Sequence, residues 1–379
     1  MSTENYCCLD YPYLEYLEKV FPKSFPEIKR DNLINPNLFS PFVIDLPEKI
    51  LNTVDKFVSK VYKIKDSSDY HEALPKEGVL ENVPKTPSVL TCFDFHYTEK
   101  MGLKLIEINT NASLYLPIVI QGCAQGNHCT DPTFDVLLNS FINAFDLKKG
   151  DGISILDENP KKEGLYFEFL IFKEWLERHG YKSNIIGIDN YSKDKYKNVY
   201  NRYTDFYFKE EKSKAIKNDY YSGTVKFSPN PREYFLLADK RRLSVLRKFL
   251  AKVHPELSTI IPESKLFSEF ESKDALWTAR KKYFLKPSQS FGSKAVYSGK
   301  GISRKAFENI YSPNFMAQEL VPAGRKTFTH EGQEVEMKFD LRFFTFEGKI
   351  QNYGARIYQG QVTNMRTPLG GITPIRFTT

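Results

Sequence analysis

Between Leu46 and Val61, apolar residues recur every three or four positions: Ile50, Leu51, Val54, Phe57, Val58 and Val61. That spacing predicts an amphipathic helix with one face on a core. A second helix is predicted over Glu163–His179, with Phe169, Phe172, Trp175 and Leu176 on one side and Gly180 as its stop. Shorter helical patterns cover 132–145, 238–250 and 303–310. Strand patterns are predicted at 88–97 and 104–109, joined by the polar turn Thr98–Gly102. Others lie at 153–156, 185–188, 198–208, 283–286, 294–297, 314–321, around the hairpin 335–352, and at 355–358. The run Leu114–Ile120 is apolar and is followed by a Gly-, Asn- and Cys-containing loop over Gln121–Asp131.

The strand–helix–strand order after Ile153 predicts a small parallel, Rossmann-like sheet. It lacks GxGxxG, so dinucleotide binding is not expected. Asn201, Arg202 and Asp205 stand at an apparent strand end, where open α/β sheets place ligands, although a local salt bridge also accounts for them. At 379 residues, two or three domains are expected. Boundaries fall at 1–87 (helical), 88–150, 151–237 and 238–379, the last dividing near 316/317.

Composition then narrows the function classes. An aromatic content of 15% argues for packed cores. The net charge of +7 is spread among interspersed acids, so no nucleic-acid partner is expected and anionic small molecules suit it as well. No apolar run approaches a membrane span and no secretory signal is visible at the N-terminus. Five cysteines without framework spacing fit a reducing cytoplasm, the expected location. Cys123, His128 and Cys129 cluster in sequence but lack a full set of zinc ligands.

Candidate chemistry sits in two places. Tyr283–Val296, YFLKPSQSFGSKAV, reads as strand, polar loop and strand, with Lys286 and Lys294 at the loop's ends. Loop N–H groups, hydroxyls and lysines suit phosphate, while an ordinary hairpin with surface lysines is the alternative. In the 88–111 hairpin, Asp94 and His96 share one face, and Glu107 and Asn109 share one face. Their hard oxygens make a candidate magnesium site, because an unpaired carboxylate in an apolar strand is costly. Asp340 and Arg342 also lie two apart, followed by Arg356 and the polar, glycine-rich Gln361–Ile372.

As an ordered set, these residues resemble the ATP-grasp superfamily. Lys240, in Ala-Asp-Lys, resembles the family's first phosphate lysine, and Lys286, in Phe-Leu-Lys-Pro, the second. The flexible phosphate loop would be Ser288–Ser293, including Ser290 and Gly292. Gln318-Glu319-Leu320-Val321 resembles the adenine hinge, and Asp340, Arg342, Arg356, Asn364 and Arg366 the strands that handle triphosphate and acyl phosphate. The family's metal strands, expected after Gly370-Gly371, instead match Asp94 and Glu107-Ile-Asn109 near the other end. The pattern is similar to a circularly permuted ATP-grasp protein of the glutathionylspermidine synthase type.

The resemblance implies an α+β/α/β fold: a permuted ATP-grasp domain, a Rossmann-like domain before it and a helical N-terminal region. It implies ATP with magnesium, or manganese, as cofactors. Its implied partners are a small-molecule or peptide carboxylate and an amine acceptor, which are joined through an acyl phosphate. Phosphotransfer or nucleotide binding without catalysis are the alternatives. Cys92 stands where several such ligases have arginine, and the ribose acid could be Glu331, Glu334 or Glu336.

Overall fold

The computed structural model describes residues 12–80, 83–124, 131–289, 295–360, 363–365 and 367–378. The expectations for Ser290, Gly292, Ser293, Lys294 and Arg366, and for His128 and Cys129, lie outside these residues. Among the described residues, no helix is long and apolar enough to cross a membrane.

The largest sheet has six antiparallel strands. Its order runs Gly371–Thr373, Lys349–Tyr358, Gln333–Phe346, Thr91–Thr98, Gly102–Asn109, and Gly324–His330 also pairs with the long Gln333–Phe346 strand. The hairpin from the chain's first third thus joins the hairpin near its end. Arg342 lies opposite Asp94, Asp94 opposite Glu107, and Asp340 opposite Arg356. Alternation along the strands sends Phe93, Phe95, Leu341, Phe343, Ala355 and Ile357 to one face. There they share a core with the helices Glu48–Lys65 and Arg242–Val253. The opposite face is covered at one end by the helices Tyr115–Ala124 and Asp131–Phe145. Gly354 is required there, because a Cβ would come within 2.6 Å of Ile118. At its other end this face carries Asp94, Asp340, Arg342 and Arg356.

A four-stranded parallel sheet, ordered Lys182–Gly187, Gly152–Asp157, Asn198–Asn201, Lys226–Ser228, carries the helix Tyr166–Arg178. A four-stranded antiparallel sheet, ordered Tyr297–Ser298, Tyr283–Pro287, Phe315–Glu319, Ser264–Leu266, has its own small core around Phe267, Leu276 and Phe307. Ile44–Pro47 pairs in parallel with Ile375–Thr378.

Several predicted bounds shift for identifiable reasons. The expected strand 198–208 ends at Asn201, whose side chain accepts from the Tyr203 N–H and turns the chain. The aromatic residues after it are buried as core from a turn region: Tyr203, Tyr207 and Phe208. The helix expected from Ala238 starts at Arg242, because Asp239 accepts from the Arg241 N–H and its carbonyl from the Arg242 N–H. The loop expected from Gln121 is helical to Ala124, with the buried Gln121 amide donating to the Ser40 carbonyl. Lys214–Tyr221 and Lys226–Ser228 add a helix and a strand that the pattern did not separate.

Candidate functional site

A cavity of about 630 Å³ opens where the six-stranded sheet, the smaller antiparallel sheet and the carboxyl ends of the parallel strands meet. Its wall includes Asp94, His96, Glu107, Asn109, Lys240, Lys286, Gln318, Glu319, Val321, Asp340, Arg342 and Arg356. Leu320, Ser288 and Asn364 are not on it, although Thr363 and Met365 beside Asn364 are.

The hairpin Thr91–Thr98 and Gly102–Asn109 is shaped by a bulge. Asp94 faces Glu107 but Phe95 faces Leu105, so Ile106 is an extra residue. Strict alternation would put Glu107 on the same face as the buried Leu103 and Leu105 by a regular count. The bulge resets that count. Leu103 and Leu105 stay in the core, while Ile106, Glu107 and Asn109 reach the cavity. The Ile106 carbonyl, released from the ladder, accepts from Lys286 Nζ at 3.2 Å and Gln318 Nε2 at 3.3 Å. Lys286 Nζ also donates to Gln318 Oε1 at 2.6 Å. Gln318 therefore positions a lysine.

Lys240 Nζ lies 3.8 Å from Glu107 Oε2. Its backbone N–H donates to the Ser288 carbonyl at 3.2 Å, which ties the first lysine to the start of the predicted phosphate loop. The fully buried Asp239 beside it accepts from Tyr207 at 2.5 Å, from Arg241 and from Gln289 at 3.3 Å.

Asp94 is also fully buried. Arg342 donates to both its oxygens, at 2.9 and 3.3 Å, and Arg356 to Oδ2 at 3.3 Å. Burial raises the Asp94 pKa, but the Arg342 and Arg356 charges outweigh it and hold the carboxylate below its usual range. Arg356 also donates to Asp340 at 2.7 Å, and Thr363 to the other Asp340 oxygen at 2.8 Å. Asn109 bonds Asp94 and Glu107, each at 3.2 Å. Burial pushes the Glu107 pKa up, yet Lys240 and, further down the balance, Lys286 bring it below its usual value. Burial lowers the Lys286 pKa to about 7, with the Lys240 charge adding to the effect and Glu107 opposing it.

Among the described residues, no three acidic, histidine or cysteine side chains form a metal cluster. Of the expected magnesium donors, Glu107 and Asn109 offer hard oxygens from one strand on the cavity wall; Glu107 Oε1 accepts from Asn109 Nδ2 and its Oε2 lies 3.8 Å from Lys240 Nζ. Asp94 fits less well, because both of its oxygens are already held by guanidinium groups. Cys92, two positions before Asp94, is a buried thiol that donates to Asp94 Oδ1 at 3.1 Å, and burial raises its pKa well above the ordinary value.

At the expected hinge, the Leu320 N–H donates to the Lys282 carbonyl and the Glu319 carboxylate accepts from the Glu263 N–H at 3.3 Å. The Leu320 backbone donor is thus already engaged. None of Glu331, Glu334 and Glu336 lines the cavity, and Glu336 pairs with Arg325 at 2.5 Å on the outer hairpin. The pattern did not single out Asp157, Glu158 and Glu163, which line the far end with Arg202 and Thr204. Asp157 ends its strand, the position at which open α/β sheets collect ligands, and that signal could have found it. Burial, then the Glu163 charge, raises its pKa to about 7. Arg202 donates to the Ala112 carbonyl at 2.5 Å; among the described residues no ion pair joins it to Asp205, which accepts from Glu210 N and Ser213.

No protein-family model matches the chain. No curated protein sequence matches it. Among solved structures it resembles the apo form of a glutathione synthetase-like effector from Globodera pallida, with a TM-score of 0.53 at 14% identity over 90% of each chain. A proposed gamma-glutamylcysteine synthetase from Methylobacillus flagellatus aligns at a TM-score of 0.46 and 8% identity over 84% of each chain. The first likeness gives the class of fold: a mixed α/β architecture like that of the glutathione synthetase-like effector.

Proposed function

We propose that the chain is an ATP-dependent carboxylate–amine ligase. The observation that carries this reading is the single cavity in which two buried lysines, two arginines and the Glu107–Asn109 pair converge beside the Gln318–Val321 segment. These cations stand with Asp94, Glu107 and Asp340 around one open volume, and cations beside hard carboxylate oxygens are what a triphosphate with a divalent metal requires. In this reading Lys240 and Lys286 hold the nucleotide phosphates. Gln318–Val321 hold the base, and Ser288–Ser293 is the stretch expected to serve as the phosphate loop. Glu107 and Asn109 would hold magnesium, which when bound offsets phosphate charge.

A substrate carboxylate oxygen attacks the γ-phosphorus of ATP, the bond to ADP breaks, and an acyl phosphate forms. An amine nitrogen then attacks the acyl carbon, inorganic phosphate leaves, and the amine loses a proton. Arg342 and Arg356 stabilise the charge on the transferring phosphoryl group, and the protein's main work is positioning. The permuted ATP-grasp reading is supported by the Arg342–Asp94 pair. It joins residues 248 apart in sequence as neighbours in one sheet, so the site forms whatever the chain order of its strands. A glutathionylspermidine synthase-type product, a peptide–polyamine amide, is the finer expectation of this reading.

The test is calorimetric titration of Mg-ATP into the wild type and Glu107→Gln, followed by assay of ADP release with mixed acids and amines. Magnesium-dependent binding weakened at least about tenfold in the variant is expected, roughly the loss of one charged interaction. Wild-type protein that binds no nucleotide ends the proposal. A nucleotide-binding module without ligase chemistry is the second reading. Asp94 favours it, because its oxygens are committed to Arg342 and Arg356. Nucleotide binding with no ADP release under any acid and amine would select that reading.

A further inference from the structure

His96 stands two residues beyond Asp94 on the cavity wall, beside Val321. Its Nδ1 lies 3.0 Å from the Val321 carbonyl oxygen. A carbonyl oxygen only accepts, so Nδ1 carries the proton in this contact. In the neutral ring, Nε2 is then an acceptor. Among the described residues nothing donates to it. The donors nearby on the wall are spoken for: the Gln318 amide and the Lys286 ammonium both go to the Ile106 carbonyl, and Lys286 also to Gln318. Arg356 goes to Asp340 and Asp94. Among the described residues the wall therefore presents an acceptor without a protein donor, held in orientation by the segment next to it. Such a group favours a ligand that brings an N–H.

We propose that His96 reads the base of the bound nucleotide, with Nε2 accepting from the 6-amino group of adenine and rejecting purines that place an oxo group there. This rests on the reading of Gln318–Val321 as the base-binding segment. A site built to accept from an N–H discriminates strongly, because an oxo group sets two acceptors face to face. His96 would then do two jobs with two nitrogens: one fixes the Val321 backbone, the other selects the base.

The experiment is calorimetric binding of ATP, ITP, purine riboside triphosphate and inorganic tripolyphosphate to the wild type, His96→Asn and His96→Phe. Asparagine has an amide N–H that can keep the Val321 bond, while its acceptor Oδ1 falls near the place of Cδ2, short of Nε2, and phenylalanine removes both polar groups. For the wild type, ATP should bind at least about 30-fold more tightly than ITP and about tenfold more tightly than purine riboside triphosphate, which lacks the amino group. In His96→Asn the ATP/ITP ratio should fall below about threefold, with tripolyphosphate affinity unchanged. Equal binding of the three nucleotides by the wild type overturns the inference while leaving the nucleotide site standing. So does a ratio that survives in both variants. The wild-type comparison needs no variant, so a misfolded His96→Asn does not shelter the idea. Absence of binding by ATP and tripolyphosphate alike removes the nucleotide reading itself, and the base-reading role with it.

Discussion

Lys286 is buried between Gln318 and the Ile106 carbonyl, and among the described residues no carboxylate is bonded to it. Burial and the nearby Lys240 place its pKa at about 7, against an ordinary lysine value of 10.5. A lysine with a depressed folded pKa works against the fold while it is charged. That cost is fully present below pH 7 and is relieved as pH rises from about 7 towards 10.5, where the unfolded chain also loses its proton. Wild type compared with Lys286→Met should therefore gain relative stability across pH 7 to 10, read from urea midpoints at each pH. A phosphate arriving at Lys286 reverses the balance, because it needs the ammonium. At pH 8, nucleotide binding by the wild type should take up close to one proton, seen as a buffer-dependent binding enthalpy. Lys286→Met should show no such uptake and at least about tenfold weaker binding. Uptake that persists in the variant would assign the proton elsewhere.

The bulge at Ile106 is the element on which the site turns. It brings Glu107 to the cavity while leaving Leu103 and Leu105 in the core, and it frees the carbonyl that holds Lys286 and Gln318. Deleting Ile106 would restore regular pairing with Glu107 still opposite Asp94, so the hairpin should fold. The lysine and the glutamine would lose their shared acceptor, and nucleotide affinity should drop about 10- to 100-fold, one to two charge-assisted hydrogen bonds. Circular dichroism and calorimetry on the deletion variant measure both halves of that statement. Unchanged affinity would show that Lys286 is positioned by something else.

The same hairpin marks what could be read from the chain and what could not. Its two strands, the Glu48–Lys65 and Tyr166–Arg178 helices and the parallel sheet were legible, because each carries a clear period. The bulge was not, because an extra residue between two apolar neighbours leaves no compositional mark. Nor were the two guanidiniums on Asp94, since they depend on register between strands whose residues lie 248 and 262 positions apart. Asp157 was missed for a different reason. A strand-end acid is informative only once the neighbouring sheets show that it faces a shared cavity.

At the scale of the molecule, the segments near the two ends are woven into one body. Ile44–Pro47 pairs with Ile375–Thr378, and the Ser40 N–H and hydroxyl donate to the Ile372 and Leu369 carbonyls. Gly371 makes this approach possible: it has φ +137°, and a Cβ there would meet the Leu38 carbonyl oxygen and the Ser40 nitrogen at 2.7 Å each. Ile50, Val54, Phe57, Val58 and Val61 lie in the same core as Phe93, Leu341 and Leu246. Each such side chain contributes about 1.5–3 kcal/mol on burial. Five of them together offset about as much free energy as the whole net stability of an ordinary domain, about 5–15 kcal/mol. A chain beginning at Ser88 should therefore fail to fold: it should aggregate on expression and, when refolded, lack a cooperative calorimetric transition and near-ultraviolet dichroism. Gly371→Val tests the same joint from the other end, and should lower the midpoint of a single transition rather than split it in two. A soluble 88–379 fragment that melts cooperatively and still binds Mg-ATP would mean that the segment before Ser88 is an added layer over a site that stands without it.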